Sequence, residues 1–89
     1  MPTVHLVVKG KVQGVFYRAS AREVAEELQL TGWVKNTIEG NVEVLVTGSE
    51  EHLEKFIGWC RQGPARAVVT EVQITVKTEE AFDRFRVLR

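Results

Sequence analysis

A single cysteine, one methionine and two prolines occur in this 89-residue sequence. The lone Cys60 excludes an internal disulfide and any cysteine-based zinc site, and it fits a reducing compartment. No apolar run approaches the roughly 20 residues that a bilayer-spanning helix needs. Met1-Pro2-Thr3 also lacks the basic start of a secretory signal. The expected location is therefore the cytoplasm, with no membrane partner. Net charge is missing too: 12 Lys plus Arg balance 12 Asp plus Glu, so no global field recruits nucleic acid or an acidic membrane. Repeats, linkers and low-complexity segments are absent, and a chain this short has no room for a second lobe. One domain over residues 1–89 is expected.

What is there is ordinary in bulk and uneven in detail. Apolar residues make up 44% and charged residues 27%, as in soluble globular proteins. No Asp or Glu occurs before Glu23, whereas Lys9, Lys11, Arg18 and Arg22 all precede it. The amino-terminal quarter is locally cationic, which suits an anion.

Val4, Leu6 and Val8 alternate with His5, Val7 and Lys9, the period of a strand ending near Gly10. Ala21, Val24, Ala25 and Leu28 then fall on one helical face, with Arg22, Glu23, Glu26 and Glu27 turned outward. Gly32 is expected to break that helix. Trp33 to Asn36, then Glu39-Gly40, then Asn41 to Thr47 predict two strands joined by a short hairpin. Ser49 offers a cap for a second helix, whose apolar stripe is Leu53, Phe56, Ile57 and Cys60 and whose stop is Gly63-Pro64. In a long fourth strand Val68, Thr70, Val72, Ile74 and Val76 alternate with Val69, Glu71, Gln73 and Thr75, and Phe85 and Val87 predict a brief fifth. The order is β-α-β-β-α-β with a tail strand, an α+β arrangement in which each helix packs its single apolar face on one side of an antiparallel sheet.

The stretch G-K-V-Q-G-V-F-Y-R, residues 10 to 18, joins the first strand to the first helix. Glycines at 10 and 14 let successive backbone N–H groups turn inward, and the helix adds the positive end of its dipole. The amides of Gln13, Gly14, Val15, Phe16 and Tyr17 are thereby candidates to hold a tetrahedral anion. Arg18 adds a planar guanidinium that matches phosphate oxygens. Neither a P-loop pattern nor a dinucleotide fingerprint is present, and most glycine-bearing turns before helices bind nothing. Spacing alone marks a candidate site and no reaction.

G-K-V-Q-G-V-F-Y-R at 10–18 together with G-W-V-K-N-T at 32–37 resembles the acylphosphatases over almost the whole chain. The resemblance implies a ferredoxin-like βαββαβ sandwich, an antiparallel sheet of four to five strands with two helices on one face. It implies hydrolysis of carboxylic acyl phosphates to carboxylate and inorganic phosphate, with no cofactor and no metal; a monomer is expected. Carried over by motif position, Arg18 binds the phosphoryl group beside the loop amides and Asn36 orients the attacking water. Tyr17 stands where phenylalanine is also usual, a change expected to be tolerated.

Other readings compete with this one. A non-catalytic anion-binding module of the same fold would keep the loop but has no use for a water-orienting amide. A nucleic-acid reader with the βαββαβ order needs exposed aromatics on its central strands, and Val42 to Val46 carry none. Lys9, Lys11 and Lys35 are expected to be solvated strand-end residues, and His5 a half-buried structural residue. His52 is expected to be exposed and Cys60 to be packed in the core. Trp33 and Phe56 fit packing roles, while Trp59 falls off the apolar stripe.

Overall fold

Seven elements follow one another in the computed structural model, which describes residues 1–89. They are β1 (Thr3–Lys11), α1 (Tyr17–Glu27), β2 (Thr31–Asn36), β3 (Val42–Thr47), α2 (Glu50–Gln62), β4 (Val68–Lys77) and β5 (Phe85–Val87). The sheet order is β4-β1-β3-β2-β5. Antiparallel pairing joins the first four strands as the alternation predicts, but β5 lies parallel to β2, so the five-stranded sheet is mixed.

Register explains the core. Val4, Leu6 and Val8 of β1 stand opposite Val46, Val44 and Val42 of β3, and Val34 of β2 stands opposite Val44. These residues share one sheet face, and all of them are buried with Ala21 and Ala25 of α1 and Leu53, Phe56 and Cys60 of α2. Both helices therefore close a single apolar layer. On the other face His5 Nε2 lies 2.6 Å from Glu43 Oε2, and Lys35 Nζ lies 3.6 Å from the other oxygen of that carboxylate. Lys35 also sits 5.3 Å above the Trp33 ring.

Two local details depart from the simple pattern. Gln29, not Gly32, ends α1: it turns left-handed at φ 58, and its N–H donates to the Glu26 carbonyl at 3.1 Å while Leu30 N–H donates to Ala25 at 2.8 Å. That pair of bonds is a Schellman cap, which satisfies carbonyls the last turn leaves open. Gly32 instead belongs to β2. In β4 the alternation also shifts phase. Lys9 faces Glu71 whereas Gly10 faces Val69, so Thr70 is an extra residue in a bulge. The bulge turns Val69 toward the core and leaves Val68 58% exposed. Gly10 is required there, because at φ 125 a Cβ on it would lie 2.1 Å from the Val68 carbonyl oxygen. Its constraint comes from β4 and not from the anion loop.

The segment after β4 is tied across the end of the sheet. Glu80 N–H donates to the buried Thr3 Oγ1 at 3.0 Å, and Thr47 Oγ1 donates to the Glu80 carbonyl at 2.8 Å. Gly32 N–H donates to the Arg84 carbonyl at 3.1 Å, which leads the chain into β5 beside β2. β5 and the residues after it thus reach the first turn of α1.

Candidate active site

The start of α1 is built unlike most helix starts. Its N-cap residue, Phe16, is left-handed (φ 64, ψ 25) and supplies no side-chain acceptor, and the first turn contains no acid. Helices usually have both. The first bond that closes the helix is Ser20 N–H to Phe16 O at 3.1 Å, so the N–H groups of Tyr17, Arg18 and Ala19 lack intrahelical acceptors. No loop carbonyl takes the N–H of Gly14, Val15 or Phe16 either. The left-handed turn costs a non-glycine residue on the order of 1–2 kcal/mol, and the Phe16 ring is 76% exposed. Gly14 takes φ 75 with nothing within 4 Å of a would-be Cβ, so its demand is conformational and not steric. What results is a run of free donors at a helix's positive end, the arrangement that holds an anion.

Side chains from the same loop lock it in place. Gln13 Nε2 donates to the carbonyls of Thr37 at 2.9 Å and Asn41 at 2.8 Å, which fastens the loop to the β2–β3 hairpin. Val12 and Val15 are buried in the core. The Tyr17 hydroxyl donates to the Cys60 carbonyl at 2.7 Å and so bridges α1 to α2. Its ring lies 5.2 Å from that of half-buried Trp59, which in turn lies 6.3 Å from Phe56. Burial foremost, then the nearby Cys60, pushes the Tyr17 phenol far above its ordinary value. Burial also pushes the Cys60 thiol up to about 12, against smaller lowering by Tyr17 and Arg61. Both groups are neutral structural parts.

A cavity of about 310 Å³ opens beside the loop, lined by Gly14, Phe16, Tyr17, Arg18, Ala19 and Asn36, with Val12 and Val87. Arg18 comes from the first turn of α1 and Asn36 from the last position of β2. Asn36 continues the inward set of Gly32 and Val34, which puts it on the helix-covered face at the strand's end, where it borders the cavity. Arg18 Nη1 donates to the Leu88 carbonyl at 3.0 Å, and Leu88 N–H donates to Val34 O at 2.8 Å. The guanidinium is thus anchored by one of its five donors, leaving four for a ligand.

Of the residues expected from sequence, Gly14, Phe16, Tyr17, Arg18 and Asn36 meet at this cavity. Gln13 and Val15 do not line it: the first braces the hairpin and the second fills the core. Val87, Ala19 and the Leu88 carbonyl were not anticipated. Only Val87 had a sequence signal, as part of the tail strand, since a backbone carbonyl leaves none. His5 and Lys35 lie on the opposite sheet face, and no three His, Cys, Asp or Glu side chains form a group that could hold a metal ion. His52 is half-buried rather than exposed, and its N–H donates to the capping Ser49 Oγ at 3.2 Å. No helix is long and apolar enough to cross a membrane.

Fold and cavity together define a small ferredoxin-like α+β protein with a donor-lined cavity between a strand-to-helix loop and the end of β2. The acylphosphatase family model matches residues 4–87, and the chain belongs to that family. An acylphosphatase of Methylococcus capsulatus is 46% identical over 90 residues, covering 100% of this chain and 98% of that protein. Among solved structures, an acylphosphatase from Coxiella burnetii superposes with a TM-score of 0.95 at 44% identity, covering 98% of this chain and 92% of that one. The acylphosphatase from Bacillus subtilis gives 0.97 at 33% identity with full coverage of both chains.

Proposed function

We propose that this protein hydrolyses small carboxylic acyl phosphates to carboxylate and inorganic phosphate in the pocket of residues 14–19 and Asn36. Family membership makes it an acylphosphatase hydrolase, and a non-catalytic anion-binding role is not favoured. The observation that carries the site is the meeting of Arg18 and Asn36, from different elements, on one cavity with the unpaired loop amides.

In this reading the amides of Gly14 to Ala19 and the Arg18 fork hold the phosphoryl oxygens. The loose transition state of phosphoryl transfer spreads charge over those oxygens, so fixed donors lower its energy. Gln13 contributes by bracing the loop, and Val15 and Tyr17 contribute main-chain donors while their side chains serve the core. Asn36 is neutral and cannot act as a base near neutral pH, but its carbonyl and amide can hold a water in line with phosphorus. A phosphate oxygen of the substrate accepts that water's proton. The departing carboxylate has a conjugate acid with a pKa of about 4 to 5, so it leaves without a general acid and the scheme calls for no metal or cofactor.

The proposal includes action as a single domain over residues 1–89, as a cytoplasmic monomer without nucleic-acid or membrane partners. The open sheet face supports the exclusion of nucleic acid: its three central strands carry His5, Val7, Glu43 and Leu45 and a single aromatic, Trp33, over which Lys35 lies, rather than the several stacking aromatics such a reader uses. Acetyl or benzoyl phosphate assayed in the presence of a chelator tests the scheme. Turnover inhibited by phosphate and lost in both Arg18→Gln and Asn36→Ala is expected. Undiminished turnover in the two variants would remove the site.

A further inference from the structure

The sheet ends on two unequal edges. β5 is three residues long, whereas β4 runs for 10 residues and has no strand beyond it in the order β4-β1-β3-β2-β5. Half of the N–H and C=O groups along β4 therefore point away from β1 with no strand to take them. Past the bulge at Thr70 the pairing with β1 is regular from Glu71 to Lys77. Val72, Ile74 and Val76 stand there opposite Val8, Leu6 and Val4, on the helix-covered side. Val72 packs against the core, yet Ile74 is 42% and Val76 77% exposed. Natural edges are commonly blocked by a proline, a charge or a covering segment. Val72 to Val76 contain neither proline nor charge, and Gln73–Lys77 is exposed throughout.

The residues that flank this uncharged run are opposite in sign. Glu71 and Lys77 lie on the open sheet face at equal distances from Ile74, and neither takes part in an ion pair within the chain. Glu71 Oε2 accepts a bond from Gln73 Nε2 at 3.1 Å, and its neighbour across the ladder is Lys9, with which it makes no ion pair. When two copies of β4 are set antiparallel with Ile74 facing Ile74, Glu71 of each meets Lys77 of the other, Val72 meets Val76 and Gln73 meets Thr75. A slip of two residues either way removes both charge pairs, and a slip of one puts the two apolar rows on opposite faces. The strand is thus complementary to itself in one register, which is what a twofold contact between identical surfaces requires.

We infer that β4 is a docking edge for a second copy of this chain, joined antiparallel about Ile74 so that Glu71 and Lys77 pair reciprocally and the two sheets become one with all helices on the same side. The self-complementary charges select a second copy over an unrelated strand. The paired length, roughly 20–25 Å at the rise of a strand, makes a contact smaller than the roughly 1,200 Å² of stable complexes. The pair therefore forms at high protein concentration, and the single chain prevails at assay dilution. β1 and β3 separate β4 from β2, which carries Asn36. Each copy keeps its own complete pocket, and the inference stands apart from the catalytic reading.

Sedimentation equilibrium from about 10 µM to 1 mM protein tests this. The wild type should rise from the mass of one chain toward that of two and stop there, because a closed twofold uses up the long edge. Glu71→Lys and Lys77→Glu should each weaken self-association by about 10- to 100-fold, since two attractive pairs become two repulsive ones. Mixed in equal amounts, these two variants should pair with each other about as tightly as the wild type pairs with itself, and the exchange Glu71→Lys/Lys77→Glu should restore self-association. Ile74→Lys sets like charges against each other at the centre and should hold the chain at one mass. All three positions are exposed, so each variant should still unfold cooperatively in urea. A wild type that stays at one mass overturns the inference and leaves the edge to an extended segment of another protein. Growth past two chains, unaltered association in Ile74→Lys, or failure of the two charge variants to pair also overturns it.

Discussion

Arg18 illustrates how a backbone carbonyl can fix one arm of a guanidinium and leave the others without a partner. Its neighbours at the helix start provide donors and no acids, and the Leu88 carbonyl holds one Nη of the guanidinium. A lysine there would offer charge without the planar fork. Arg18→Lys is therefore expected to lower kcat/KM for acetyl phosphate by about 100- to 1,000-fold, the scale of removing a fixed transition-state donor. Rates within a few-fold of wild type would count against the two-point geometry. The two loop-flanking glycines make a second residue-scale test, because their reasons differ. Gly10→Ala drives a Cβ into the Val68 carbonyl at 2.1 Å, whereas Gly14→Ala meets open space and bears only the cost of its φ. Urea denaturation should show a loss of roughly 2–4 kcal/mol for the first and about 1–2 kcal/mol for the second.

At the scale of elements, α1 and α2 meet through Tyr17 and Cys60. The 2.7 Å bond from the tyrosine hydroxyl to the Cys60 carbonyl satisfies a buried polar pair. Tyr17→Phe should cost about 1–2 kcal/mol by leaving the carbonyl without that donor. The sequence resemblance led us to expect such a change to be tolerated, and a loss of this size is compatible with folding. Both groups also couple stability to pH. Their folded values lie above their ordinary ones, 9.0 for the thiol and 10.0 for the phenol. The unfolded chain therefore ionises first and binds fewer protons than the fold as pH rises. Stability from this source is complete below about pH 9 and falls from there through pH 12. Urea midpoints measured from pH 7 to pH 11 should decline, and Cys60→Ala should flatten the decline. A pH-independent midpoint would contradict it.

The whole molecule brings the far end of the chain to the site. The Thr3 and Thr47 hydroxyls fasten Glu80, β5 docks parallel to β2, and Leu88 then bridges Val34 and Arg18. Deleting Leu88 and Arg89 should lower kcat by about 10- to 100-fold through a misplaced guanidinium. Thermal stability should fall by the worth of two hydrogen bonds and part of a half-buried leucine, ~2–4 kcal/mol. Full activity in the truncated chain would show that the carbonyl does not position Arg18.

Much of this architecture was legible in the residues. Alternation in β1 and β3, the apolar stripe of α2, its Ser49 cap and its Gly63-Pro64 stop are local signals, and the glycine-bearing loop with its arginine pointed to the segment that borders the candidate cavity. What could not be read is non-local. The bulge at Thr70 puts Val69 in place of Val68 on the inward face while Val72 keeps its side, because it accommodates the close approach of Gly10. The α1 stop shifted from Gly32 to Gln29, since a left-handed glutamine carries no strong compositional mark.

Sequence alone determined the order of elements, the single apolar face of each helix and the donor-rich, acid-free helix start, because periodicity and turn chemistry act between near neighbours. Only the tertiary structure decided that Asn36 shares a cavity with Arg18, that Gln13 braces rather than lines it, and that Leu88 anchors the guanidinium. Those relations depend on strand register and on backbone carbonyls, and a carbonyl is the same in every residue until the fold aims it.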